Sequence, residues 1–231
     1  MKISKTPKTS KVKTRKKLLD FRIKLSKKEV ENLSKKIIKK LKAEKEFKKA
    51  KIILLYHPIK NEVDTISLLG KELKTQLKTI GEKDKNPQEK SCKKSIKKAH
   101  KKNIKNFQEK IFALPRICKK TNKIHLHQIT DLNELQIGKF NIKEPCTHHK
   151  VIPQKDVDLI ITPGIAFDKK GHRIGYGKGY FDRLFKTSNA YKIALAYDFQ
   201  IIENVPAEKH DKKVDMIITE KRTIKATSPT Q

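Results

Sequence analysis

Short runs of apolar, often β-branched residues recur along the chain and predict the buried strands of a sheet. The clearest runs lie at 52–56, 157–162, 193–197 and 214–219. Apolar runs of this length are typical of strands that are covered on both faces. A further strand is predicted over 110–114, where Pro115 is expected to end it. Residues 123–129 instead alternate between two faces.

Segments with helical periodicity lie between or beside several of these apolar runs. Residues 16–49 have a helical pattern in which Ser26 is a predicted N-cap, because Glu29 follows three residues later as in a capping box. After this cap, apolar residues recur at spacings of three and four and form one stripe. The stripe consists of Val30, Leu33, Ile37 and Leu41. A second helix is predicted over 65–77 and a short one over 131–135.

The alternation of strands and helices predicts one α/β domain with a mostly parallel sheet flanked by helices. A chain of 231 residues suits one such domain, which we place at 11–222. Residues 1–10 are predicted to be a disordered basic tail, and 223–231 a C-terminal tail. Periodicity is lost at about 81–109, where Lys, Asn and Gln dominate. We interpret that stretch as a surface insertion.

The charge is strongly positive and unevenly distributed. The formal net charge is +32, half of it within residues 1–51, and nearly all the basic groups are Lys. Such a surface attracts polyanions in a salt-dependent way, so a protein that binds RNA or DNA is one interpretation. The alternative is a set of solvated helix faces. We favour that alternative, since the basic segments lack interleaved aromatic residues and any recognised nucleic-acid motif.

Cysteine and histidine positions give little indication of a metal site. The three cysteines are far apart and form no C-x-x-C pair, which argues against a disulfide framework and a zinc site. They are Cys92, Cys118 and Cys146. His125 and His127 share one strand face, and His148 and His149 are adjacent, but neither pair has an evident third ligand. We interpret all four as ordinary surface histidines. The cysteine usage, with no apolar stretch typical of a signal peptide or membrane span, predicts a cytoplasmic protein.

One glycine-rich stretch indicates chemistry. Residues 162–185 read TPGIAFDKKGHRIGYGKGYFDRLF and follow a predicted strand. Closely spaced glycines let backbone N–H groups converge on an anion, and Arg173 and Lys178 add positive charge. A phosphate cradle is therefore one interpretation, although the spacing fits neither a P-loop nor a Rossmann fingerprint. The other is a glycine-rich turn whose aromatic residues pack into the core, and the spacing leaves both open.

Two carboxylates accompany this stretch, Asp182 directly after it and Asp215 near the C-terminus. Carboxylates beside a polyphosphate suit Mg²⁺, which prefers oxygen ligands. Most aspartates are caps or solvated residues, however, and we interpret Asp168 as a turn residue.

The glycine-rich stretch also resembles the signature of the 5-formyltetrahydrofolate cyclo-ligase family. Further resemblances to that family follow in order along the chain, from residue 11 to residue 220. They are KVKTR at 11–15, NEVDT at 61–65, ALPR at 113–116, KEP at 143–145 and PAEKHDKKVDMIITE at 206–220.

This resemblance implies a fold like that of the NagB/RpiA/CoA-transferase group and an ATP- and Mg²⁺-dependent reaction. In that reaction ATP phosphorylates the formyl oxygen of 5-formyltetrahydrofolate, N10 closes the ring, and 5,10-methenyltetrahydrofolate forms with ADP and phosphate. The implied partner is the small folate substrate, with no specific nucleic acid and no membrane. We expect a monomer.

The resemblance also implies residue roles. ATP is expected to contact Lys11, Val12, Lys13, Thr14, Arg15, Arg173, Ile174, Gly175, Tyr176, Gly177, Lys178, Gly179, Tyr180 and Phe181. The folate is expected to contact His57, Glu62, Gly175, Tyr176, Gly177, Lys178 and Gly179. The expected catalytic residues are Arg173, Lys178 and Asp182, and the expected Mg²⁺ ligands are Asp182 and Asp215. Thr14 and Phe181 depart from the family's usual Leu and Tyr. Gln200 and His210 fall on matched positions with roles left open.

Overall fold

The computed structural model describes residues 7–81, 110–118, 121, 123–208 and 211–226. Its helices are α1 Pro7–Ile23, α2 Lys27–Ala43, α3 Lys45–Lys49, α4 Ile66–Gly81 and α5 Tyr180–Thr187. Its longer strands are β1 Ile52–Leu54, β2 Ile111–Ile117, β3 Ile124–Gln128, β7 Leu159–Thr162, β10 Tyr191–Leu195, β11 Met216–Ile218 and β12 Thr223–Lys225. The two-residue strands are β4 Gln136–Ile137, β5 Lys143–Glu144, β6 Val151–Ile152, β8 Ala166–Phe167 and β9 Arg173–Ile174.

Eight strands form one sheet in the order β12-β11-β10-β7-β1-β2-β3-β6. The five from β11 to β2 are parallel, and β12, β3 and β6 are added at the edges through antiparallel pairing with β11, β2 and β3. The predicted α/β class with a mostly parallel sheet is therefore confirmed. The pairs β4–β5 and β8–β9 form two small separate sheets.

The core has two parts because successive strand residues point to opposite faces of the sheet. Ile53 and Ile161 pack on one face with Ile37 and Leu41 of α2, the stripe residues that are fully buried. The neighbouring residues Leu54 and Ile160 face the other side, where α5 packs. Strands covered on both faces need apolar residues at consecutive positions, which explains the unbroken apolar runs.

The predicted helical segment 16–49 is divided into three helices. Its central cap is confirmed, because the Ser26 hydroxyl accepts a hydrogen bond from the Glu29 N–H at 3.3 Å while the Ser26 N–H donates to Glu29 at 2.8 Å. The cap ends α1 and begins α2. The side chain of Asn61 donates to the carbonyls of Arg22, Ile23 and Leu25 around this break.

The prediction that Pro115 ends its strand is wrong. Strand β2 continues to Ile117, with Pro115 opposite Leu126 of β3. Strand β1 pairs only with residues 111–113 of β2. Pro115 therefore lies where β2 has a partner on one side, a position that tolerates a missing N–H donor.

Both predicted tails contain regular structure at their inner ends. Helix α1 begins at Pro7, and β12, which includes residues 223–225, pairs with β11 as an edge strand. Residues 82–109, most of the predicted insertion, lie outside the described residues, as does His210. None of the helices described between residues 7 and 226 has the length and apolar character needed to cross a bilayer.

The carboxyl ends of β1, β7 and β10 bring three loops together under α1. Arg22 of α1 donates to the carbonyls of Lys60, after β1, and Gly164, after β7. Gln200, after β10, donates to the carbonyls of Gly164 and Ile165. Gln200 thus joins two of the loops. Open α/β sheets bind ligands at this edge.

Candidate active site

The glycine-rich stretch connects β9 to α5. Gly177 and Gly179 have φ values of +90° and +63°, a region that L side chains rarely adopt. A Cβ placed on Gly175 would meet no heavy atom within 4 Å. Gly179 is the N-cap of α5. The segment from Gly175 to Gly179, hereafter the glycine segment, therefore leaves room at its backbone and leads into a helix N-terminus.

Helix α1 supplies a cation to the glycine segment. The Arg15 Nε donates to the carbonyl of Gly175 at 2.8 Å, and a Cβ on Gly177 would lie 3.5 Å from Arg15 Nη2. The structure thus brings together the first and the central predicted ATP motifs. Val12 and Lys13, from the same motif, are exposed, and Thr14 lines a different cavity beside Ile202 and Glu203.

Lys11 reaches the loop that precedes β11. Its ammonium lies 2.6 Å from Asp211 and 3.1 Å from Glu208. Burial alone would lower the pKa of Lys11, but hydrogen bonds to these two carboxylates raise it above the ordinary value. Asp211 and Glu208 were not predicted as site residues, although both lie in the matched motif at 206–220.

Arg173 and Asp182 form a half-buried ion pair at the start of α5. The Arg173 Nη2 donates to the Asp182 carboxylate at 2.8 Å, and its Nη1 donates to the carbonyl of Lys212. The guanidinium lies over the ring of Phe185 at 4.4 Å. Burial lowers the pKa of Arg173, while Asp182 and the charge of Asp211 act in the opposite direction. Asp211 is therefore near enough to act on the Arg173–Asp182 pair.

Asp215 has a different environment. Its carboxylate accepts a hydrogen bond from the Lys192 N–H at 2.7 Å and lies 3.8 Å from the Lys192 ammonium. Asp215 comes directly before β11, and Lys192 is at the start of β10, so both lie at the amino ends of parallel strands. Among the described residues, Asp182 and Asp215 share no hydrogen-bond or ion-pair partner. Asp211, in contrast, precedes Lys212, whose N–H donates to the Asp182 carboxylate at 3.4 Å, so the chain brings Asp211 close to Asp182.

A buried polar network links α1, the loop after β1 and the glycine segment. Arg22 donates to the Tyr176 hydroxyl, which donates to Glu62 at 3.2 Å. A second carboxylate oxygen of Glu62 accepts from the Ile59 N–H at 3.0 Å. Burial raises the pKa of Glu62 to about 7, although Arg22 acts in the opposite direction. Arg22 was not predicted from the sequence as a site residue. The one indication was that arginine is rare in this Lys-rich chain.

The other predicted site residues lie around these groups. His57 is half-buried, and burial together with the charge of Lys143 lowers its pKa. Lys178 is exposed. The ring centroids of Tyr180 and Phe140 are 6.4 Å apart, and the guanidinium of Arg183 lies over the Tyr180 ring.

Ile174 and Phe181 of the predicted site, and Gln200, whose role was left open, have structural contacts. Ile174 is buried, and Phe181 packs against both parts of the core. Gln200 holds the loops after β7 and β10 together. The Asp168 carboxylate accepts hydrogen bonds from the N–H groups of Lys170 and His172, as predicted for a turn residue.

A comparison with known protein families gives a match over the part of the chain that contains the glycine segment. The model of the 5-formyltetrahydrofolate cyclo-ligase family matches residues 88–220, more than half of the chain. The chain belongs to the 5-formyltetrahydrofolate cyclo-ligase family. The match includes the glycine segment, the Arg173–Asp182 pair and the loop of Asp211.

Individual members of the cyclo-ligase family show the same relationship. The 5-formyltetrahydrofolate cyclo-ligase of Mus musculus is 33% identical over 125 residues, 49% of this chain and 62% of that protein. The alignment thus spans less than two thirds of this curated relative. The solution structure of Aquifex aeolicus 5,10-methenyltetrahydrofolate synthetase is 35% identical with a TM-score of 0.73, covering 96% of this chain and 95% of that one. The synthetase from Mycoplasma pneumoniae, 24% identical with a TM-score of 0.62, shows the shared fold.

Proposed function

We propose that this cyclo-ligase family member converts 5-formyltetrahydrofolate to 5,10-methenyltetrahydrofolate with ATP and Mg²⁺, releasing ADP and phosphate. One observation carries the proposal. Arg15, from an N-terminal helix, lies against the glycine segment, while Tyr176 of that segment contacts the buried Glu62. The glycine segment, with the positive charge of Arg15, thus lies next to the buried Glu62. A reaction between a nucleotide and a heterocycle requires such neighbouring sites for the phosphates and the ring.

We expect the nucleotide phosphates to bind at the glycine segment. Arg15 supplies a fixed positive charge there, and the exposed Lys178 can move its ammonium toward an anion. The N-terminus of α5 adds the partial charge of its unpaired N–H groups. Phosphoryl transfer depends mainly on such positioning and charge neutralisation.

Mg²⁺ is assigned to Asp182 and Asp211, in place of the pair Asp182 and Asp215. Asp211 precedes Lys212, whose N–H donates to the Asp182 carboxylate at 3.4 Å, whereas Asp215 lies at the amino end of β11. Hard oxygen donors fit Mg²⁺, and their present cationic partners, Arg173 and Lys11, hold them in place without the ion. When bound, Mg²⁺ supplies charge neutralisation at the phosphates.

We expect the folate to bind between Glu62 and the glycine segment. Glu62 can accept hydrogen bonds from N–H groups of the pterin ring, and Tyr176 and Arg22 fix its orientation. His57 follows β1 as Glu62 does, and burial lowers its pKa, which favours the neutral ring that can both donate and accept hydrogen bonds. Tyr180, next to Phe140, offers an aromatic surface.

The reaction follows from these positions. The formyl oxygen attacks the γ-phosphorus of ATP, and ADP leaves as the new P–O bond forms. N10 then attacks the activated formyl carbon and loses its proton, and the C–O bond breaks to release phosphate. Arg173 and Lys178 are the expected catalytic residues, since their charges offset the negative charge that moves onto the phosphate oxygens.

An optical assay tests the proposal. Purified protein is mixed with 5-formyltetrahydrofolate, and the near-ultraviolet absorbance of the conjugated methenyl product is followed. The absorbance is expected to rise only when both ATP and Mg²⁺ are present, and Asp182→Ala is expected to abolish the rise. No product under complete conditions, with RNA binding that persists at raised salt, would instead support a nucleic-acid-binding protein.

A further inference from the structure

Three potential metal ligands meet in the turn that follows β5. The ligand atoms of Cys146, His148 and His149 all lie within 4.8 Å of one another. Among the described residues, this is the group of three or more such side chains that could hold an ion. The sequence showed two adjacent histidines without a third ligand, and the turn supplies that ligand as a thiol.

The turn is fixed from two sides. The His149 N–H donates to the carbonyl of Cys146 at 3.4 Å, which closes the turn. The carbonyl of His149 lies 3.0 Å from Nδ1 of His127, a buried residue of β3. The Cys146 thiol is buried and donates to the carbonyl of Glu134 at 2.9 Å. Two of the three ligands are therefore held by their backbone and by neighbours, which favours a preformed site.

The ring of His149 provides an independent observation. Its side chain is only 7% exposed, and no hydrogen bond to its Nε2 is found among the described residues. This nitrogen lies 3.1 Å from a carboxylate oxygen of Glu134. A buried nitrogen without a hydrogen bond costs free energy that a metal ion would recover. Two ligands on one zinc ion lie about 3.4 Å apart, as Zn–N and Zn–O bonds of about 2.0–2.1 Å require, so this spacing suits a shared ion.

We propose that Cys146, His148 and His149, with Glu134 as the fourth ligand, bind a zinc ion. A thiolate with two imidazoles and one carboxylate is a ligand set for Zn²⁺ and not for Mg²⁺ or Ca²⁺. The ligand atoms of Cys146, His148 and His149 must move closer by about 1 Å to reach the edge length of a zinc tetrahedron, and the Glu134 carboxylate must turn toward all three. The exposed ring of His148 and the 43% exposed side chain of Glu134 can make that movement.

The surroundings of the proposed zinc site indicate how the ion enters and what it does there. A surface cavity of about 300 Å³ is lined by Glu134, His148 and His149, so an ion can enter from solvent. Binding would deprotonate the Cys146 thiol, which gives up its hydrogen bond to the Glu134 carbonyl. The ion would then join the turn after β5 to the turn at Leu132–Glu134. None of these ligands is among the residues proposed for ATP or folate, so the site has a structural role.

Cobalt serves as a spectroscopic probe of this site. Tag-free, reduced protein is titrated with Co²⁺ and then with Zn²⁺ in competition. We expect one ion per chain, the intense visible bands of tetrahedral Co²⁺ and a thiolate-to-cobalt charge-transfer band, all displaced by Zn²⁺. Cys146→Ser should remove the charge-transfer band, and His149→Gln should weaken binding by at least tenfold. Cys118→Ser and His125→Gln are matched controls outside the cluster and should bind as the parent does.

Two outcomes would overturn the zinc proposal. One is the absence of tetrahedral Co²⁺ bands at micromolar metal, and the other is unchanged binding in both ligand variants. Circular dichroism checks that each variant is folded. If Cys146→Ser does not fold, His148→Gln replaces it, since this exposed side chain can be changed without disturbing the core, and it too should bind at least tenfold more weakly. The measurement needs neither ATP nor folate, so it is independent of the cyclo-ligase activity.

Discussion

The guanidinium of Arg22 and the carboxylate of Glu62 lie 3.5 Å apart, with side chains only 1% and 3% exposed. Arg22 also donates to the carbonyls of Lys60 and Gly164. Taking both charges out of water is costly, and their attraction with the added hydrogen bonds only offsets that cost. The pair therefore contributes mainly by fixing α1, the loop after β1 and the glycine segment in one arrangement.

Arg22→Met is expected to destabilise the protein strongly. The substitution leaves the buried Glu62 without its cation and removes the donor to the Lys60 carbonyl, while the Gly164 carbonyl keeps its hydrogen bond from Gln200. Removal of one partner of a buried ion pair costs about 3–5 kcal/mol in the free energy of unfolding. Urea unfolding measures this loss. The double variant Arg22→Met with Glu62→Gln is the control and should recover part of it. An equal loss in the single and the double variant would contradict this account.

The stability contributed by Glu62 should depend on pH. Burial raises the pKa of Glu62 in the folded protein to about 7 from an ordinary value of 4.5. The folded state therefore holds more protons than the unfolded state between these values. The contribution of Glu62 is then full below about pH 4.5 and is lost as the pH rises through about 7, by at most about 3 kcal/mol.

Glu62→Gln tests this dependence, because glutamine cannot titrate. The free energy of unfolding of the variant, minus that of the parent, should rise between about pH 4.5 and about pH 7 and level off above. Denaturant unfolding at several pH values gives both curves. A constant difference across this range would show that Glu62 keeps an ordinary pKa in the folded protein.

Local sequence patterns predicted the features that local physics determines. The capping box of Ser26 and Glu29 and the turn at Asp168 depend on neighbours within four residues. The apolar runs at 52–56 and 157–162 predicted buried strands because a parallel sheet buries both strand faces, and both strands lie in the middle of the sheet. Such features could be predicted without knowing which segments meet in space.

The parts of the site that escaped prediction depend on contacts between distant segments. Arg22 meets Tyr176 across 154 positions, and Lys11 meets Asp211 across 200. No local pattern distinguishes Asp211 from Asp215, since both lie in the same matched motif. Their partners differ, Lys11 for the first and Lys192 for the second, and only the folded chain shows this.

Two alanine substitutions in the glycine segment separate binding from stability. Gly177→Ala places a side chain at a φ of +90° and should cost about 1–3 kcal/mol in the free energy of unfolding. Gly175→Ala adds a methyl group where no heavy atom lies within 4 Å, so stability should not change. If phosphates occupy that space, both variants should bind ATP about tenfold to a hundredfold more weakly. Calorimetric titration with ATP decides this, and full affinity in Gly175→Ala would place the nucleotide elsewhere.

The proposed Mg²⁺ ligands are distinguished by Asp211→Asn and Asp215→Asn. The first substitution removes a charge beside the Arg173–Asp182 pair, so the Mg²⁺ concentration for half-maximal activity should rise by about tenfold or more. The second keeps a carbonyl oxygen that can accept from the Lys192 N–H, and it should leave that concentration unchanged. The dependence of activity on ATP concentration is also measured at saturating Mg²⁺. An unchanged dependence in Asp211→Asn would indicate that only Mg²⁺ binding is weakened, whereas a weaker response to ATP would indicate that Lys11 is disturbed. If the Mg²⁺ concentration for half-maximal activity rises in Asp215→Asn alone, the Mg²⁺ ligands are Asp182 and Asp215 instead. The carboxylate that the ion requires would then be the one that precedes β11.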